Sequence, residues 1–408
     1  MKISSILFIG CLIFPPVLSV SLGGLVITPL RFLGIVFFMM YVPKLFSSNR
    51  LTSKVALLDG LIVFHCLWVF VALSVVHDVR QGVESGGIYL IELLSFYAFG
   101  RALARNPLAL IKFLEYLFVV IAVSALLAWI EALTGVNVVY KLLGMTYYRL
   151  ADPRMGLERA SVYMPHPILY GLFASMIMGL AVYSLRKSRA KTSLVFAMAT
   201  IPALSSAPLL SLMVQLSAYL YDRIMKAFKS RWKILVLGVA SALLLISLVS
   251  EGGVISVIIN NLTFNPQTGY YRISIWDYGT AEVARHPIFG IGFNDWIRAK
   301  WMYSSSVDNF WLLTAMRYGL PSIISLLLLL VLILRRMLTT DYGYLSSVRT
   351  GWVISFAGIF LVGSTVHFWA NAFSGFGLFV GIGATIASYS KFTIFSFDSL
   401  VGANEKTE

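Results

Sequence analysis

Arg159, Arg272 and Asp308 are the residues of this 408-residue chain whose types could share one piece of chemistry. A guanidinium makes forked bonds to phosphate oxygens and stays charged at any working pH. Several converging on a pyrophosphate would hold it and counter the charge that grows as it departs. A carboxylate can take a proton from a hydroxyl within hydrogen-bond reach, which makes Asp308 a candidate base. Arg154 and Arg317 are further candidates for the same anion. Each residue also has a plainer reading. Exposed loops need charge for solubility, and Asp308 in SSSVDNFWLL stands where a side chain would cap the following helix. Arg31 and Glu92, each about six residues inside an apolar run, are expected to pair, or else to wall a wet cavity. His65, midway along another run, reads as a hydrogen-bonding link between helices, and Glu131 near a run's end needs no special role.

Other chemistries find no support in the spacing. The nine aspartates include no Asp-x-Asp pair, and the five histidines have no ligand spacing. No phosphate-binding glycine loop and no Gly-x-Ser-x-Gly elbow occur. Neither a metal nor another cofactor is expected, so arginines would have to stabilise an anionic leaving group unaided.

The elements that must position these residues follow from hydropathy. The chain is 59% hydrophobic and 12% charged, with mean hydropathy +0.84. Soluble domains carry roughly twice that charged fraction, so the pattern predicts an all-α polytopic membrane protein forming a single membrane domain over 1–408. Spans are expected at 4–22, 25–43, 55–76, 86–103, 108–133, 165–185, 192–205, 207–221, 234–250, 309–334, 350–366 and 373–390. The first reads as a retained span rather than a signal peptide, for want of a small-x-small cleavage site. Basic clusters flanking 192–221 make that region two spans turning at Ser205-Ser206-Ala207-Pro208. Loops on one side then hold 17 Lys and Arg in 52 residues, against 9 in 106 on the other, which places both termini in the cytoplasm. The net charge of +14 follows this bias, so no nucleic-acid partner is expected. Cys11 and Cys66 lie within apolar runs and read as packing residues.

Two outer loops stand apart by length, 134–164 and 251–308, and long loops are usually functional. They hold Lys141, Arg149, Arg154 and Arg159 in the first and Arg272, Arg285, Arg298 and Lys300 in the second, against the general bias. The second also predicts a helix over about 270–285, stopped by Pro287 and followed by the glycine-rich HPIFGIGF. The tail from Asp398 is short and polar.

Four stretches together resemble the O-antigen ligase and polymerase superfamily. GLERASVYMPHPILYGLFASM (156–176) is similar to its segment in which an outer Arg precedes a His/Asn-Pro pair. ALSSAPLLSL (203–212) resembles its Ser-rich turn, without the frequent Arg. RISIWDYGTAEVARHPIFGIGFNDW (272–296) resembles its strongest signature, and VDNFWLLTAMRYGLP (307–321) its His-Asn-aromatic-Leu segment, with Asp308 where His is frequent. The resemblance covers about 155–325. It implies a GT-C-like, metal-independent glycosyltransferase of a bacterial inner membrane that uses undecaprenyl-pyrophosphate-linked oligosaccharide among membrane lipids. Arg159 and Arg272 would hold the pyrophosphate, with Arg154 and Arg317 beside them; His166, Trp276, Asn309, Arg31 and Glu92 would serve the acceptor or its cavity. The leading expectation is a polymerase of exopolysaccharide or O-antigen repeat units, working with a flippase and a chain-length regulator. The alternatives are an O-antigen ligase acting on lipid A core or protein and, from another class, a twelve-span secondary transporter.

Overall fold

The computed structural model describes residues 1–389 apart from 16–17, 23–24, 47–52, 148–150, 186–187, 250–265 and 340–342. Arg149 and the tail from Asp398 therefore lie outside the described residues. The chain forms helices α1 (Lys2–Ile13), α2 (Pro29–Tyr41), α3 (Ser53–Val76), α4 (Val79–Ala104), α5 (Pro107–Thr134), α6 (Val138–Leu142) and α7 (Pro167–Ser184). They continue as α8 (Arg189–Thr200), α9 (Ser206–Ile224), α10 (Arg231–Val249), α11 (Pro266–Arg285), α12 (Phe310–Thr339), α13 (Ser346–Gly363) and α14 (Asn371–Ile386). A helix falls within or across every expected span. Seven of them, α3, α4, α5, α7, α10, α12 and α13, are long and apolar enough to cross a membrane. The protein is thus a helical, polytopic membrane protein.

The first expected span is corrected. α1 ends at Ile13 because Phe14, ahead of Pro15, is extended (φ −79°, ψ 125°), as the residue before a proline prefers. An antiparallel hairpin, β1 (Val20–Leu22) with β2 (Leu25–Ile27), follows instead of more helix. α2 is likewise shorter than its expected span, starting at Pro29 behind the Thr28 cap. α4 begins earlier than expected, so much of 77–85 is helix, steadied by the Arg80–Glu84 pair.

α14 packs on α4, α12 on α3, α13 on both α7 and α9, and α8 on α5. Backbones approach closely at small residues: a Cβ on Gly100 would stand 2.3 Å from the Leu378 carbonyl oxygen. α10 is apolar yet has no buried residue, as suits a helix facing lipid. Away from the long loops, Arg101 is buried and forks onto Asp59 (2.9 and 3.0 Å), while Tyr97 donates to the same carboxylate at 2.6 Å. Arg101 is therefore a core cation within α4, although the gap between two apolar runs counts it among the loop charges.

Two breaks in the helices shape the interior. α4 widens into π turns at Gly82–Gly86 and at Ile91–Ser95, the second carrying Glu92. α12 breaks at Gly319 (φ 78°, ψ 174°), with Pro321 just beyond. A proline has no N–H for the carbonyl four residues back, so a break of this kind frees backbone acceptors. All are taken up: Ile291 N–H donates to Met316 O at 2.8 Å, Gly292 N–H to Arg317 O at 3.0 Å, and Trp68 Nε1–H to Tyr318 O at 3.0 Å. In return, the Leu320 N–H donates to Pro287 O at 2.7 Å. HPIFGIGF is thus a splint for a broken helix. Its glycines are needed because Gly290 has φ 68° and a Cβ there would lie 2.4 Å from Met316 O.

Candidate functional site

The site lies where loop 134–164, the α8–α9 turn, the N-terminal half of α11 and the start of α12 meet. Loop 134–164 is folded onto α5. The buried Glu131 carboxylate accepts from Ser161 N–H at 3.2 Å and Val162 N–H at 2.9 Å. Asn137 Nδ2–H donates to Val162 O at 2.8 Å. These bonds hold Val162 at φ 55°, a left-handed conformation rare for a β-branched residue. Ala160 N–H then donates to Pro202 O at 2.9 Å. The α8–α9 turn offers its carbonyls to both loop arginines: Arg154 Nη1–H donates to Leu204 O at 2.9 Å and Arg159 Nε–H to Ala203 O at 3.3 Å.

Three segments far apart in sequence bring charged residues close enough to act on one another: Arg154 on Arg159 and Arg272, and Asp308 on Arg272. Burial, and then Arg154, push Arg159 down to about 10, which leaves it charged at neutral pH; exposed Asp152 opposes the shift. Arg272 is also lowered, by burial first; Asp308 opposes that shift and Arg154 adds to it. Among the described residues, Arg272 has no hydrogen bond and no ion pair. Two further arginines of the second long loop are paired: Arg285 with Glu282 at 2.6 Å, and Arg298 with Asp295.

His166 joins the cluster. It caps α7 by accepting Ile168 N–H at Nδ1 (3.1 Å), which leaves Nε2 to carry the ring proton. Burial, then Arg159, lower its pKa, and Asp308 opposes them. Its imidazole lies 6.2 Å from the Trp369 ring.

The capping role read for Asp308 is corrected. Asn309 Oδ1 accepts Leu312 N–H at 2.9 Å at the start of α12, and Asn309 Nδ2–H donates to Ser364 O at 3.0 Å. Asn309 is buried, with its amide bonded through both oxygen and nitrogen, which is a structural role, while Asp308 is exposed and among the described residues accepts only the Ser306 hydroxyl, at 3.1 Å. A helix is capped by the side chain that reaches its free N–H groups, and the helix starts one residue later than the sequence suggested.

Arg317 does not join the other arginines. It stands at the end of the first half of α12, with its guanidinium carbon 5.0 Å from the Phe293 ring centre. It lines a separate cavity of about 320 Å³ together with Arg31, Glu92, His367 and Trp369. Arg31 and Glu92 form the expected pair, Nε to Oε1 at 2.6 Å, and Arg31 Nη1–H also donates to Val26 O at 2.7 Å. Trp276 is 43% exposed and lines neither region. His65 bridges helices, its Nδ1 2.9 Å from Ser322 O and its Nε2 2.8 Å from the Tyr89 hydroxyl.

Sequence reading missed Glu131, Asn137, His367 and Trp369. One signal existed for the first, an acid at the end of an apolar span, but its role depends on a loop 30 residues away. The four non-glycine residues with positive φ among the described residues, Met155, Val162, Leu204 and Ala370, all border the arginine cluster or the cavity. Strain of this kind costs about 1–3 kcal/mol per residue and collects at functional sites. Among the described residues, no three His, Cys, Asp or Glu side chains are grouped so as to hold a metal ion.

These features define a membrane protein with an arginine-rich site at one end of a helical bundle. Neither a family model nor a curated protein matches the chain.

Proposed function

We propose that the protein is a metal-independent membrane glycosyltransferase with a GT-C-like, twelve-span fold. Its role in this reading is to polymerise undecaprenyl-pyrophosphate-linked repeat units at the outer face of a bacterial inner membrane. The observation that carries the reading is that Arg154 lies near both Arg159 and Arg272, with exposed Asp308 beside Arg272, from three separate segments.

In this reading a hydroxyl of the acceptor attacks the anomeric carbon of the donor sugar. The bond from that carbon to the pyrophosphate oxygen breaks, and the hydroxyl proton passes to Asp308. Arg159, Arg154 and Arg272 counter the charge that develops on the departing lipid pyrophosphate. Fixed donors suit this task because they need no reorganisation as the charge appears. Arg272, without a hydrogen bond or ion pair among the described residues, has its fork available, while Arg159 is oriented by the Ala203 carbonyl. The Nε2–H of His166 adds an uncharged donor at the same site.

The test uses the full-length protein in vesicles with lipid-linked repeat units. A ladder of lengthened glycans is expected, with no added metal required. Single-unit transfer to lipid A core or protein would instead indicate the ligase, and uptake of substrate without a new glycosidic bond would indicate a transporter.

A further inference from the structure

Arg317 has a different electrostatic setting from the clustered arginines. It is half-buried in a bundle of apolar helices, and no carboxylate lies within ion-pair distance among the described residues. Glu92 on the same cavity is already engaged by Arg31. Beside Arg317, the Nδ1 atom of His367 is buried and has no hydrogen-bond partner among the described residues. Burial, with a further contribution from Arg317, holds His367 down to about 3, so its ring is neutral and able to donate one N–H. Arg317 and His367 both line this cavity, and a cation and an unmet polar side chain within a helical bundle call for a polar ligand.

The cavity walls are aromatic: Tyr89, Phe293, Tyr318 and Trp369 line it with the charged groups. The C–H faces of a sugar ring pack against such rings, and a guanidinium beside them takes a carboxylate through two parallel bonds. The balance of charge separates the two regions. Beyond the Arg31–Glu92 pair the cavity has one guanidinium, which matches a single negative charge. A pyrophosphate diester carries two, and three arginines stand in the neighbouring cluster.

We propose that this cavity is a subsite for an anionic sugar of the acceptor glycan, a uronic acid in chemical class, with its carboxylate on Arg317 and His367. The proposal rests on the glycosyltransferase reading above and adds the substrate class to it. A sugar phosphate monoester shares part of this chemistry, and the experiment separates the two.

Binding to the purified full-length protein is measured by calorimetry with methyl glucuronide, methyl glucoside and glucose 6-phosphate. Geranyl pyrophosphate serves as the probe for the arginine cluster. The glucuronide is expected to bind roughly tenfold more tightly than the glucoside, the value of one charge-assisted pair. Arg317→Gln should remove that preference while leaving geranyl pyrophosphate affinity within about twofold. Arg317→Lys keeps the charge without the fork and guards against a folding defect; it should retain part of the preference. Equal binding of glucuronide and glucoside overturns the subsite, as does a preference that survives Arg317→Gln. Tighter binding of glucose 6-phosphate than of glucuronide overturns the carboxylate assignment. Failure of geranyl pyrophosphate to bind the wild-type protein overturns the pyrophosphate reading instead, whatever the sugars do.

Discussion

Gly292 donates its backbone N–H to the carbonyl of Arg317 at 3.0 Å, filling the place of the N–H that Pro321 lacks. This one bond ties the glycine-rich stretch after α11 to the break in α12 and fixes where Arg317 points. Gly292 has φ 59°, and a Cβ there would lie 2.4 Å from His77 Nε2, which itself accepts the Phe293 N–H. Gly292→Ala should therefore lower stability by about 1–3 kcal/mol, read as a fall in the thermal unfolding midpoint in detergent. An unchanged midpoint would mean that the splint does not support the fold.

Removing Arg272 should separate chemistry from stability. Among the described residues it has no hydrogen bond or ion pair to lose, so Arg272→Ala should keep the wild-type melting temperature while turnover falls by about 10²–10³-fold. Arg159→Ala should lose activity to a similar degree and also some stability, through the Ala203 carbonyl left without its donor. Wild-type turnover in either variant removes the pyrophosphate site.

Asp308 and Asn309 should split by role. Asn309→Ala removes a cap and should cost about 1 kcal/mol or more of stability. Asp308→Asn leaves the cap in place, and turnover should fall by about 10²–10⁴-fold with unfolding unchanged. The reverse pattern would return the cap to Asp308.

Glu131 should act on donor binding from a distance. Glu131→Ala leaves the amides of Ser161 and Val162 without an acceptor, at about 1–3 kcal/mol per buried group. The turn at Val162 then relaxes and Arg159 loses its bearing. The expected outcome is a raised KM for the lipid donor with a smaller change in kcat.

His367 contributes to the pH dependence of stability. Its pKa is about 3 in the fold against an ordinary 6.5, so the unfolded chain takes up the proton first as pH falls. The contribution of His367 to stability is complete above about pH 6.5 and declines from there towards pH 3, because the unfolded state binds more protons in that window. His367→Asn should flatten this part of the profile of melting temperature against pH. An unchanged slope would exclude His367 as its source.

Much of the architecture is legible in the residues themselves. Apolar runs and basic clusters placed α3, α5, α7, α12 and α13 within a few residues and split α8 from α9 at Ser205-Ser206. Pro287 and the glycines after it announced a turn, and Arg31 with Glu92 announced a pair. Hydropathy and chain-stiffening residues act over a few neighbours, so a linear reading can follow them. It failed at α1, where Pro15 shortens an apolar run that composition alone extends.

What tertiary structure alone decided is which charges meet. Arg154 comes near Arg272 while the carbonyls of Ala203 and Leu204 and the carboxylate of Glu131 hold its loop against a turn far along the chain. Arg317, on the same helix as Asn309, is sent to another cavity by the break at Gly319 and the stretch that splints it. Hydrogen bonds between distant segments have no period in the sequence, since any carbonyl will accept and only packing selects which one is near. The residue types name the chemistry available, and the packing of helices against one another chooses the partners.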